Sequence, residues 1–143
     1  MMKNESHIPR VGISFGLRGD HLNPDFWSAY LGVKADYAAR KGDIVGSTKG
    51  TRRQAFHIWG VWNYECKSPN ITSIDEGVLI LMKALKLPRA DFKQQLAATG
   101  CEAILSIFVD NMDGQNPARY GQVTNDFLTS TGAELNLDVV DPD

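Results

Sequence analysis

The apolar positions along the chain follow two different periods. From Arg10 to Leu17 they alternate, with Val11, Ile13, Phe15 and Leu17 on one side and Gly12, Ser14 and Gly16 on the other, which predicts a half-buried strand. Glu102 to Met112 repeats the pattern, with Leu105, Ile107 and Val109 on one side and Ile104 and Phe108 on the other, and Glu134 to Val140 reads as a last strand. Gln54 to Cys66 differs, because both sides are apolar: Phe56, Ile58, Trp62 and Tyr64 alternate with Ala55, His57, Trp59 and Val61. A strand apolar on both sides needs cover on both, so this stretch is expected to be a central strand around which the rest packs.

The second period is helical and its boundaries are punctuated. Asn23 is placed to cap a helix, Pro24 suits its first position and Asp25 its positive end; Phe26, Trp27, Tyr30 and Leu31 form one face, and Gly32 is the expected stop. Ser73 and Glu76 form a capping box ahead of Ile74, Val78, Leu81, Met82 and Leu85, the expected main core helix, with Pro88 after it. A more polar helix is predicted over Arg89 to Thr99, with Phe92 and Leu96 buried and Gly100 at its end. Thr124 or Asn125 is expected to cap a short helix carrying Phe127 and Leu128 and ending at Gly132. Lys34 to Arg53, dotted with Gly42, Gly46 and Gly50, reads as a loop or irregular hairpin.

These elements predict an α+β fold over residues 1–143 as one domain, with a single mixed or antiparallel sheet and helices mainly on one face. A strand followed by a helix ending at Leu31-Gly32, and another followed by a helix ending at Thr131-Gly132, suggest a ferredoxin-like pseudo-repeat of two strand-helix-strand halves.

Composition sharpens this picture only slightly. The 143 residues are 43% hydrophobic and 22% charged, which is ordinary for a globular chain long enough to bury its own core. A formal net charge of −2 argues against a general nucleic-acid binder. The first ten residues lack an apolar stretch behind a basic one, and no apolar run approaches the roughly 20 residues of a membrane span, so a cytoplasmic location is expected. Cys66 and Cys101 lie far apart with no metal-ligand spacing around them and are read as reduced thiols.

Several short stretches give the chain a family likeness: Leu31-Gly32-Val33, Lys41-Gly42-Asp43, the strand with Trp62 followed by Ser68, and Thr131-Gly132-Ala133 through Leu137-Asp138-Val139. With the order of elements, these resemble the bacterial domain-of-unknown-function family 4279; where its members often carry proline after the Leu-Gly pair, this chain has Lys34 and Ala35. The resemblance implies no activity by itself. It implies a lean towards small accessory and toxin-immunity genes.

The chemistry the residues announce is sparse. Gly42 to Thr51 is glycine-rich but lacks the Gly-Lys-Ser/Thr order of a phosphate-binding loop and is read as a solvated hairpin. His7, His21 and His57 have no partner at ligand spacing, no Gly-x-Ser-x-Gly elbow occurs, and neither cysteine has a base beside it, so no catalytic residue, metal or cofactor is expected and the chain is read as a non-enzyme.

Recognition has more to draw on. Between Lys34 and Arg53 the basic residues outnumber Asp36 and Asp43 by four. Arg52 and Arg53 beside Phe56, Trp59 and Trp62 read either as a solvated strand end next to core aromatics or as a charged stacking surface. Asp110, Asp113, Asp138, Asp141 and Asp143 gather at the ends of the later strands, where they suit a basic partner. The leading expectation is a protein-binding domain, an immunity protein that occludes a bacterial toxin, with Asp110, Asp113, Asp138, Asp141, Arg52, Arg53 and Trp59 as partner-binding residues. Two rivals stand beside it: a ligand-binding or enzymatic domain with a cleft near His57, Trp59 and Asp20, and an RNA-binding module using the arginines and tryptophans.

Overall fold

A computed structural model describes residues 10–45, 55–67, 71, 73–110 and 119–140. The elements run β1 (Arg10–Gly19), α1 (Pro24–Leu31), β2 (Tyr37–Ala39), β3 (Gly60–Glu65), α2 (Ile74–Leu85), α3 (Phe92–Thr99), β4 (Glu102–Asp110), α4 (Gln122–Thr131) and β5 (Glu134–Val140). They form one five-stranded sheet in the order β2-β3-β1-β4-β5. Every neighbouring pair is antiparallel except β4 and β5, which run parallel, so the sheet is mixed.

The alternation of β1 and β4 decides which face is core. Val11, Ile13, Phe15 and Leu17 are buried together with Ala103, Leu105, Ile107 and Val109, and the register adds Trp62 and Tyr64 from β3. The helices cover this one face. Phe15 stands 5.9 Å from Phe92 of α3 and 5.7 Å from Phe127 of α4, ring centre to ring centre, and Trp27 of α1 stands 5.9 Å from Phe92. From α2, Ile74, Val78, Leu81 and Leu85 join the same cluster.

The caps behave as their residues dictate. Asn23 accepts from the amides of Asp25 and Phe26, Ser73 accepts from the amide of Glu76, and Gly32, Gly100 and Gly132 close α1, α3 and α4 with left-handed backbone. The expected cap of α4 is different. The helix starts at Gln122, Thr124 is fully buried within it, and the cap comes from α2: the Asp75 carboxylate accepts from the Gly121 amide at 3.0 Å, the Thr124 amide at 3.2 Å and the Thr124 hydroxyl at 2.6 Å. Free amides at a helix start accept any oxygen that reaches them, including one 46 residues away in sequence.

One further expectation is corrected, and the pseudo-repeat is not confirmed. The doubly apolar stretch is not a strand covered on both sides: β3 begins only at Gly60, and Phe56 and Ile58 are 55% and 68% exposed. Only Trp62 and Tyr64 bury, because there is a single helix layer, and the centre of the sheet is β1. Residues 55–57 instead pair back onto 42–45, through Gly42 to His57, His57 to Asp43 and Val45 to Ala55 hydrogen bonds and an Ile44–Phe56 bridge. The two strand-helix-strand halves also differ in pairing. β4 and β5 are adjacent, whereas β1 and β2 point the same way with antiparallel β3 between them. The two halves of a ferredoxin-like repeat are therefore not equivalent here, although both first helices of the halves end on left-handed glycines, Gly32 and Gly132.

Candidate functional site

Helices on one face leave the other face of the sheet open, and the same alternation says what it carries. β1 presents Gly12, Ser14 and Gly16; β4 presents Ile104, Ser106 and Phe108; β3 presents Val61, Asn63 and Glu65; β5 presents Glu134, Asn136 and Asp138. Because the central strand offers only glycine and serine from Gly12 to Gly16, the larger residues of its neighbours stand above it there and the face is a trough, with Arg18 at one end. Two hollows occupy it and meet at Ser106: one of about 330 Å³ over Ser14, Glu65, Phe108, Asn136 and Asp138, the other of about 340 Å³ over Gly16, Tyr37, His57, Trp59 and Asn63.

The second hollow has aromatic walls set by the pairing of 55–57 with 42–45. That ladder folds His57 over β2, where its Nε2 lies 2.6 Å from the Tyr37 hydroxyl. The Trp59 indole is held by the Arg18 guanidinium, 5.0 Å from its ring centre. Arg18 is itself anchored by Glu102 at 3.0 Å and Glu134 at 3.8 Å. Among the described residues no carboxylate lines this hollow. On its floor the Asn63 carboxamide and the Ser106 hydroxyl have no hydrogen-bond partner among the described residues.

The first hollow is acidic. Asp138 lies beside Phe108 in register, and Asp110 lies two residues further along β4 on the same face, opposite Val140. Glu65 stands on the other side of the trough, opposite Ser14.

The fold thus brings Asp110 and Asp138 together and puts Trp59 at the far end of the same face. Six residues of β4 separate Glu102, which holds Arg18 beneath Trp59, from Phe108, or about 20 Å along an extended strand. Trp59 is 36% exposed, a surface residue, while Trp62 is fully buried and is core. Asp113, Asp141, Arg52 and Arg53 lie outside the described residues. Asp20 pairs with Lys41 at 3.8 Å and does not line the His57 hollow. His57, expected within the central strand, is half-buried and lies in the irregular segment before β3.

Ser14, Asn63 and Ser106 carry no signal in the sequence beyond the outward side of the alternation in β1, β3 and β4. The small half of β1 is the clearest part of it. It becomes a floor only when the register sets Ser14 opposite Ser106.

Two carboxyls and one phenol outside the trough are shifted by their surroundings. Asp36 is held below the ordinary carboxylate range by the Glu65 amide, at 2.7 Å, and by the Lys67 ammonium. Burial pushes Asp75 up, and the hydrogen bonds from Thr124 and Gly121 outweigh it, so the net direction is down. Burial, then the hydrogen bond to Asp91 at 2.5 Å, pushes the Tyr30 phenol up to about 12. These groups tie the loop after α1 to the end of β3, α2 to α4, and α1 to the start of α3.

Among the described residues no three His, Cys, Asp or Glu side chains gather as a metal site, and no helix is long and apolar enough to cross a membrane. Cys66 and Cys101 are free thiols. The model of the family described as Domain of unknown function (DUF4279) matches residues 9–142. Neither a curated protein nor a solved structure matches the chain.

Proposed function

Taking as premise that the chain belongs to the DUF4279 family, we propose that it is a binding domain that holds a protein partner against the open face of its sheet. The observation that carries this reading is the bare trough itself. An exposed aromatic, Phe108, sits beside Asp138, with Asp110 on the same face and Glu65 across from it. A half-apolar, half-acidic surface suits a basic partner: the aromatic supplies buried area and the carboxylates supply steering and register. An immunity protein occluding a positively charged toxin cleft is the concrete form of this proposal, in which the chain needs no catalytic group of its own.

The test is protection. Cells producing a toxin whose gene neighbours this one, together with this chain, should survive, and Asp138→Lys with Phe108→Ala should abolish survival while the chain stays folded; a gene neighbourhood without a toxin contradicts the immunity form of the proposal. The association rate should fall as salt is raised from 50 to 500 mM, because steering by carboxylates is screened. Survival that is absent with the wild-type chain, or retained by the double variant, contradicts the proposal.

The RNA-binding alternative rests on Arg52 and Arg53, outside the described residues. The small-ligand alternative has an observation in its favour, the aromatic hollow at the other end of the trough.

A further inference from the structure

We infer that the hollow between Trp59 and Tyr37 is a separate small-molecule site, for a planar heteroaromatic ring whose edge carries an N–H beside a carbonyl. The size fits: about 340 Å³ lies at the lower end of small-ligand cavities and holds one or two fused rings. The walls fit as well. Trp59 offers a ring fixed in place by Arg18 rather than one free to swing, and Tyr37 is fixed by His57, so a stacking partner meets surfaces already ordered.

The floor chooses the class of ring. Asn63 presents a carbonyl and an amide side by side, Ser106 both donates and accepts, and neither is engaged within the described structure. A ring with only carbon on its edge strips water from these groups and returns nothing, whereas a lactam edge gives donor to acceptor and acceptor to donor. The charges exclude a third class. Among the described residues the one charged side chain lining the hollow is the Arg18 guanidinium, and its partners Glu102 and Glu134 do not line it, so an ammonium ligand finds no carboxylate there to pair with. The site shares Ser106 with the acidic hollow but neither Phe108 nor Asp138, so it stands independently of the protein-binding reading.

The experiment titrates the full chain with uracil, hypoxanthine, phenol and benzylamine. Saturation-transfer NMR and tryptophan fluorescence follow binding. Trp59 and Trp62 both line the hollow, so the part of a ligand-dependent fluorescence change that Trp59→Ala removes reports on Trp59. Saturable binding of uracil or hypoxanthine is expected, with phenol weaker and benzylamine absent. Trp59→Ala should weaken lactam binding at least about tenfold, as loss of one stacking face does. Asn63→Leu and, separately, Ser106→Ala should erase the preference for uracil over phenol, and Phe108→Ala should leave ring binding unchanged; a melting curve for each variant verifies folding. The inference is overturned if no lactam binds saturably, if Trp59→Ala leaves affinity within twofold, or if neither floor variant changes the preference.

Discussion

At the scale of single residues, the two exposed and buried tryptophans of one short stretch have opposite jobs. Trp62 lies in the core, with its indole N–H donating to Ser28 at 3.0 Å, while Trp59 stands at the rim. Truncating Trp62 to alanine should destabilise the fold by about 3 to 5 kcal/mol, and truncating Trp59 should change stability by less than about 1 kcal/mol, as urea unfolding curves will read. Asp75 works between helices. Asp75→Ala leaves two amides and a hydroxyl unmet and should cost about 2 kcal/mol.

Proton linkage gives these residues a signature. Asp75 and Asp36 have folded pKa values below their unfolded ones, so their stabilisation is complete above the unfolded carboxylate pKa, about 4, and is lost as pH falls through the lower folded value. Unfolding free energy should therefore drop between pH 5 and pH 2, and Asp75→Asn should flatten that drop. Tyr30 acts with the opposite sign. Its raised pKa makes its contribution complete below pH 10 and lost as pH rises through about 12, a loss that Tyr30→Phe should remove.

At the scale of elements, what could be read in advance was what local spacing controls. The alternation in β1 and β4 assigned each side chain to its face, and the asparagine, serine and glycine signals placed both ends of α1, the start of α2 and the stops of α3 and α4. The start of α4 was not legible, because its cap sits on another helix. Nor was the start of β3, since residues 55–59 are as apolar as those that follow and period alone cannot tell cover on one face from cover on two. Gly60 marks the break physically. A Cβ there would stand 2.9 Å from the Leu22 Cβ and 3.0 Å from the Leu22 carbonyl oxygen, so the turn after β1 packs directly on the strand's first residue. Gly60→Ala should accordingly cost about 1 to 3 kcal/mol, measured by thermal or urea unfolding, with no gain elsewhere to offset it.

At the scale of the whole molecule, one sheet carries two different surfaces. The helix layer takes the large apolar half of β1, which leaves its small and polar half outward as the floor of the trough. The candidate site follows from that division and was only partly visible in the chain. Asp110 and Asp138 could be grouped because each lies near the end of an obvious strand, whereas Ser14 and Ser106, 92 positions apart, meet only through register.

The proposal that the trough is the recognition surface is tested most directly by comparing faces. The affinity of the partner for Phe108→Ala with Asp138→Lys, on the trough, should be set beside its affinity for Leu79→Ala with Lys83→Glu, on the exposed side of α2. The account predicts a loss of at least a hundredfold for the trough variant and less than threefold for the helix variant, with both melting as the wild type does. The reverse order, or equal losses, would contradict it.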